Sequence, residues 1–197
     1  MKKPVTLYIL LLALSIGVLF LLNLFLGSVD IPFRSIWNIL LGMDEGESVI
    51  WQNIIWKSRV PQALTAMVAG AGLAVSGLQM QTVFRNPLAG PSVLGISSGA
   101  SLGVAFVVLL SGSIGGIALS RLGFMGEIAL TMAAIIGALS IMALIVYVSQ
   151  KVHGNVTLLI IGVMIGYVAN AVIGVLKFFS VEEDIRAYVI WGLGSFA

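Results

Sequence analysis

The chain of 197 residues contains no cysteine and a single histidine. Disulfides and thiolate metal sites are therefore excluded, and one imidazole cannot complete the usual tetrahedral zinc shell. Charge is equally scarce. Asp, Glu, Lys and Arg make up 9% of the residues, whereas a soluble domain carries about 25%. So few charges cannot solvate the surface of a globule of this length. The net charge of +2 is too small to serve a nucleic-acid backbone. No stretch matches G-x-x-x-x-G-K-[ST], so the chain lacks the phosphate-cradling loop of P-loop ATPases. No nucleophile–base pair has motif support either, and the chain reads as non-enzymatic.

What is present is apolar. Hydrophobic residues make up 59% and the mean hydropathy is +1.12. The runs are Val5–Leu26, Ala63–Phe84, Val93–Leu110, Phe124–Val148, Leu158–Phe179 and Tyr188 onward. Each is long enough, or nearly so, to cross a hydrocarbon core of about 30 Å as a helix. In lipid the backbone must satisfy its own hydrogen bonds, and no run shows the alternation of a barrel strand. The expected fold is all-α: a polytopic transmembrane bundle of about six helices, forming one domain over residues 1–197. Val5–Leu26 follows Lys2 and Lys3 but exceeds the h-region of a signal peptide and has no A-x-A site, so it reads as a retained helix.

Loop charge orients the chain with its N-terminus in the cytoplasm. Lys2, Lys3, Arg85 and Lys151 then lie inside. Asp30, Asp44, Glu45, Glu47, Glu182, Glu183 and Asp184 lie outside, together with Arg34, Lys57, Arg59, Arg121 and Arg186. The outer segment Ser28–Ser58 carries Trp37, Trp51 and Trp56, residues that favour the headgroup layer. It predicts one or two helices lying along the membrane surface.

The sharpest interruption is "QTVFRNPLAGPSVLGISSG", residues 81–99. Pro87 biases Asn86 away from helical geometry, so the second helix should end there, with Arg85 snorkelling toward water. Pro91 and Ser92 suit the first turn of the next helix. Gly95, Gly99 and Gly103 then recur every fourth residue, with Ser97, Ser98 and Ser101 between them. A doubled GxxxG lets another helix approach closely, and Gly and Ser also leave room and polar groups beside a pathway. Further on, Gly162, Gly166, Asn170 and Gly174 repeat at the same spacing. A mid-membrane asparagine needs a partner or water, so this face is either a pathway wall or a packing seam. Glu127 is the clearest acid inside an apolar run; it shares an expected depth with Lys177 and could pair with it.

The blocks "SRVPQALTAMVAGAGLAVSGLQMQTVFRNPLAGPSVLGISSGASLG" and "LLIIGVMIGYVANAVIGVLKFF", the latter followed by "YVIWGLGSF", resemble the FecCD permeases. These are membrane subunits of type II ABC importers for iron–siderophores, haem and cobalamin. The resemblance covers nearly the whole chain, with the blocks in the family's order. Gln62 departs from it, standing where many relatives have arginine.

The resemblance implies a ten-helix permease of which this chain matches the first six helices, so a C-terminal truncation is expected. It implies a homodimer in the bacterial inner membrane, two cytoplasmic ATPase subunits that bind the ATP and Mg²⁺, and an external substrate-binding protein. The chain itself would bind no cofactor. Carried onto this sequence, Gly162, Gly166, Asn170 and Gly174, with Ser97, Ser98 and Ser101, would border the translocation pathway. Gly154, Asn155 and Thr157 would form the cytoplasmic gate, with His153 a solvated loop residue. Arg59 and Lys57 would dock the binding protein, and Gly95, Gly99 and Gly103 would pack helices. Two other classes stay open: a secondary transporter, which needs midplane acids or broken helices, and a structural membrane protein held by GxxxG faces. Nothing in the residues separates siderophore from haem or cobalamin.

Overall fold

The computed structural model describes residues 5–43, 46, 48–114, 124–152 and 154–194. Lys2, Lys3, Asp44, Glu45, Glu47, Arg121 and His153 lie outside the described residues. Among those described, every regular element is helical: α1 (Val5–Phe25), α2 (Phe33–Leu40), α3 (Val49–Ile54), a π turn (Ile55–Arg59), α4 (Val60–Phe84), α5 (Ile96–Ile114), α6 (Phe124–Ser149), α7 (Asn155–Phe179) and α8 (Glu182–Leu193). Four are long and apolar enough to cross a membrane: Val5–Phe25, Val49–Phe84, Phe124–Ser149 and Asn155–Phe179. A shorter apolar helix covers Ile96–Leu110. Contacts divide the chain into two compact units, one up to Gly72 and one from Leu73.

In the first unit, α1 is apolar on all sides and buries only Leu24. That is the pattern of a helix whose solvent is hydrocarbon. Its neighbour α2 is short and two-faced, with Ser35, Ile36 and Ile39 turned inward. They join Ile31 and Ile55 in a small core, against which Phe25, Trp51 and Val60 pack. Of the one or two surface helices expected in the outer segment, only α2 stands apart. The stretch holding Trp51 and Trp56 is helical but runs on without a break into the span, giving one helix of 36 residues. The π turn ends at Arg59, two residues before Pro61. A proline has no N–H to bond the carbonyl four residues back, and a local widening of the ladder accommodates that loss without ending the helix.

In the second unit α5 is central and packs against α6, α7 and α8. Its Val104, Ala105, Val108 and Leu109 are buried together with Ile173 of α7 and Tyr188 of α8. Helix α4 ends at Phe84, where Arg85 turns left-handed at φ 48°. The Leu88 N–H donates to Asn86 Oδ1 at 2.9 Å and closes the turn. The next helix does not start at Pro91 or Ser92. Residues 91–94 form turns, Gly95 takes φ +74°, and α5 begins at Ile96. A left-handed residue cannot be propagated as a right-handed helix, so Gly95 sets the start. At the far end the Ser180 hydroxyl lies 2.6 Å from the Leu176 carbonyl and 3.0 Å from that of Leu109, tying the α7–α8 turn to α5.

Candidate functional site

The small residues of α5 are spent on backbone contact. A Cβ on Gly99 would meet Ile141 and stand 2.8 Å from the Gly137 carbonyl oxygen, and one on Gly103 would strike the Ala133 carbonyl. In return a Cβ on Gly137 would strike the Gly99 carbonyl oxygen and come 3.0 Å from Gly103. Gly95 serves the other neighbour: a Cβ there would lie 2.8 Å from the Gly162 carbonyl oxygen and 3.0 Å from the Gly166 nitrogen. The row of glycines thus seats α6 on one side of α5 and α7 on the other.

This divides the α7 row. Gly162 and Gly166 are buried, the former against Leu94. Both pack against the segment that leads into α5. Residues four apart on a helix advance by about 40° per step, so the row rotates out of the seam. Asn170 is exposed, and its Nδ2 reaches Ser98 Oγ at 3.5 Å. At Gly174 a Cβ would find nothing within 4 Å. Tyr167 is also exposed and shares the face of Asn170 and Gly174 at i+3 and i+7. The glycine row hid Tyr167 at the sequence level; the i, i+3, i+7 spacing was the signal for it. Among the serines, Ser97 is exposed, Ser98 faces Asn170, and Ser101 hydrogen-bonds Tyr188.

At the opposite end of α7, Gly154 adopts φ +111°, and Gly154, Asn155 and Thr157 are all exposed. Asn155 Nδ2 donates to the Val83 carbonyl at 2.7 Å, joining the start of α7 to the last turn of α4. Of the three expected gate residues, Asn155 therefore reaches the helix end that precedes the Arg85–Asn86–Pro87 turn.

Two clefts flank α5. One, of about 300 Å³, is bounded by Leu102, Ile141, Leu144, Ile165, Val168 and Val172. The other, of about 320 Å³, runs past Leu102, Phe106, Ile136 and Ser140. Neither offers polar groups that would hold a charged ligand, since the Ser140 hydroxyl already donates to its own Ile136 carbonyl at 2.7 Å.

The two basic residues of the π turn that leads into α4 have different fates. Lys57 is exposed. Arg59 is buried at 5% exposure. Its Nη1 donates to the Leu24 carbonyl at 2.6 Å and the Phe25 carbonyl at 3.3 Å, and its Nη2 to Val29 at 2.5 Å. The Leu24 and Phe25 carbonyls belong to the end of α1, where four lack helical partners and the dipole favours a cation, and Val29 lies in the loop that follows. Arg59 thus clasps the end of α1. The expected Glu127–Lys177 pair is absent. Glu127 is exposed on α6, and the Lys177 ammonium lies 4.7 Å over the Tyr188 ring. The aromatic face of α8 offers a half-buried cation on α7 a partner.

A family model described as the FecCD transport family matches residues 12–197. The chain belongs to this family. Among curated relatives of this FecCD chain is the hemin transport system permease protein HmuU of Yersinia pestis. It is 37% identical over 171 residues, which cover 86% of this chain and 47% of HmuU. The vitamin B12 import system permease protein BtuC of Serratia proteamaculans is 36% identical over 190 residues, 96% of this chain and 51% of BtuC. A solved structure described as an inward-facing metal-chelate type ABC transporter aligns with TM-score 0.71 and 28% identity, over 94% of this chain and 52% of that one. The FecCD chain spans about half the length of the curated relatives it matches.

Proposed function

We propose that this chain forms the N-terminal part of the permease subunit of an ATP-driven importer that brings a bulky metal chelate into the cytoplasm. The observation that carries the reading is the FecCD match over residues 12–197. The names of the relatives, hemin and vitamin B12, support a substrate class of metal-bearing macrocycles and iron chelates. A permease has no covalent step to perform. The energy enters from a cytoplasmic ATPase that binds ATP and Mg²⁺, and selection is delegated to an external binding protein. The permease is a homodimer in the bacterial inner membrane, and its N-terminus is cytoplasmic.

In this reading the wall of the pathway is the exposed α7 face of Tyr167, Asn170 and Gly174. The inner gate is the Gly154–Asn155–Thr157 turn. Gly174 tests the wall cleanly, because space is open around it. Gly174→Trp is expected to leave expression and thermal stability near wild type while reducing chelate uptake at least about tenfold, the rate effect of roughly 1.4 kcal/mol on the limiting barrier. Unchanged uptake would remove α7 from the pathway. The function itself is tested by reconstituting the full-length permease with its ATPase and binding protein in vesicles. Uptake of haem, cobalamin or an iron–siderophore should require ATP. Uptake that proceeds without the ATPase would reject the reading.

A further inference from the structure

The sequence places Trp37, Trp51 and Trp56 alike at a membrane surface, but the structure separates them. Trp51 packs against the small core of the first unit, whereas Trp37 and Trp56 are exposed. On α2 the inward face is Ser35, Ile36 and Ile39. The opposite face is apolar too: Phe33 is 62% exposed, Trp37 38% and Leu41 63%. At about 100° per residue these three fall on one stripe, with Arg34 at its flank. Phe33 is also stacked on Phe25 of α1, ring centroids 4.6 Å apart, and its edge meets Trp37 at 6.1 Å. The stripe therefore continues the lipid-facing surface of α1.

The depth of this stripe is fixed by Arg59. Its bonds to Leu24, Phe25 and Val29 hold the end of α1 level with the start of α4. Both helices are long and apolar enough to cross a membrane, so in a bilayer the place where they are pinned together marks one edge of the hydrocarbon layer. Helix α2 packs onto that junction through Ile36 and Ile39 against Ile55. A Phe–Trp–Leu stripe with an adjacent arginine, held at that depth, has the chemistry of the headgroup–acyl boundary. There the rings meet hydrocarbon, the indole N–H meets water, and the guanidinium meets lipid phosphate. We propose that the outward face of α2 is a membrane anchor whose occupant is bilayer lipid, with Phe33, Trp37 and Leu41 seated below the headgroups and Arg34 at the phosphates.

The chain has no cysteine, so a nitroxide on Leu41→Cys, and separately on Phe33→Cys, reports without background. Both sites are exposed, and labelling either leaves the buried face untouched. In vesicles of phosphatidylethanolamine and phosphatidylglycerol, both labels should be several-fold more accessible to oxygen than to a water-soluble nickel chelate. Their depth should be about 5–10 Å below the phosphates. Greater access to the nickel chelate would place the face in water. Exclusion of both reagents would place protein against it. Either result overturns the proposal. The measurement needs neither nucleotide nor binding protein, so it stands or falls apart from the transport reading.

Discussion

Gly103→Val is expected to abolish the folded helix pair, while Gly70→Val leaves the protein folded. The difference lies in what a new side chain meets. At Gly103 the first atom beyond the helix is the Ala133 carbonyl, and the Gly137 Cα is 3.1 Å away. Both are backbone, so no rotamer change can give way. At Gly70 nothing lies within 4 Å. Overpacking a rigid site costs about 1–3 kcal/mol even where side chains can shift. Here α5 and α6 must separate, and in lipid no hydrophobic force draws them back, because association rests on close van der Waals contact. Helix α5 also carries Val104, Val108 and Leu109 into the core with α7 and α8, so its displacement loosens the whole second unit. Thermal unfolding in detergent, read by fluorescence-detected size exclusion, should show a monodisperse Gly70→Val and an aggregated or absent Gly103→Val. Equal behaviour of the two would mean that the contact between α5 and α6 is not what the glycines secure.

The same contrast explains how far the sequence could be read. The spans were visible because hydrocarbon imposes a length and an apolarity that few residues can break, and the end of α4 was visible because Pro87 constrains Asn86. A GxxxG spacing says that something comes close without saying what. Gly95 turned out to admit α7 while Gly99 and Gly103 admit α6, and Gly162 and Gly166 were consumed on the receiving side. Their burial left the exposed face of α7 to Tyr167, Asn170 and Gly174. The start of α5 was misplaced because proline and serine are permissive at a helix start, whereas the left-handed Gly95 is decisive and invisible as such. Charge was the least legible property. A lysine and an arginine two positions apart in one short basic stretch look equivalent in a sequence, yet neighbours two apart on a helix point to different sides.

Arg59→Ala and Arg59→Lys are both expected to destabilise the first unit, and Lys57→Glu is not. One guanidinium satisfies three carbonyls, two in the last turn of α1 and one in the loop after it. Losing a single hydrogen bond to a charged group costs about 1.5–3 kcal/mol, so the total for alanine should exceed about 3 kcal/mol, with the Leu24 carbonyl left buried and unpaired by the loss. Lysine restores the charge but not the fork. A compact ammonium cannot span carbonyls that a planar group reaches with separate nitrogens, and it should recover only part of the loss. Gly27 supplies an independent check: a Cβ there would stand 2.7 Å from Arg59 Nη2 and 3.0 Å from Cζ. Because the guanidinium is held by its own bonds it cannot step aside, so Gly27→Ala should lower the melting temperature in the same direction, by less. The docking alternative predicts the reverse pattern. If Arg59→Ala melts like the parent chain and loses affinity for the binding protein, Arg59 faces the partner. If Lys57→Glu alone loses that affinity, most strongly at low salt as expected for an exposed charge, then the two cations of this stretch have split their work: one holds the helices together and the other meets the delivery protein.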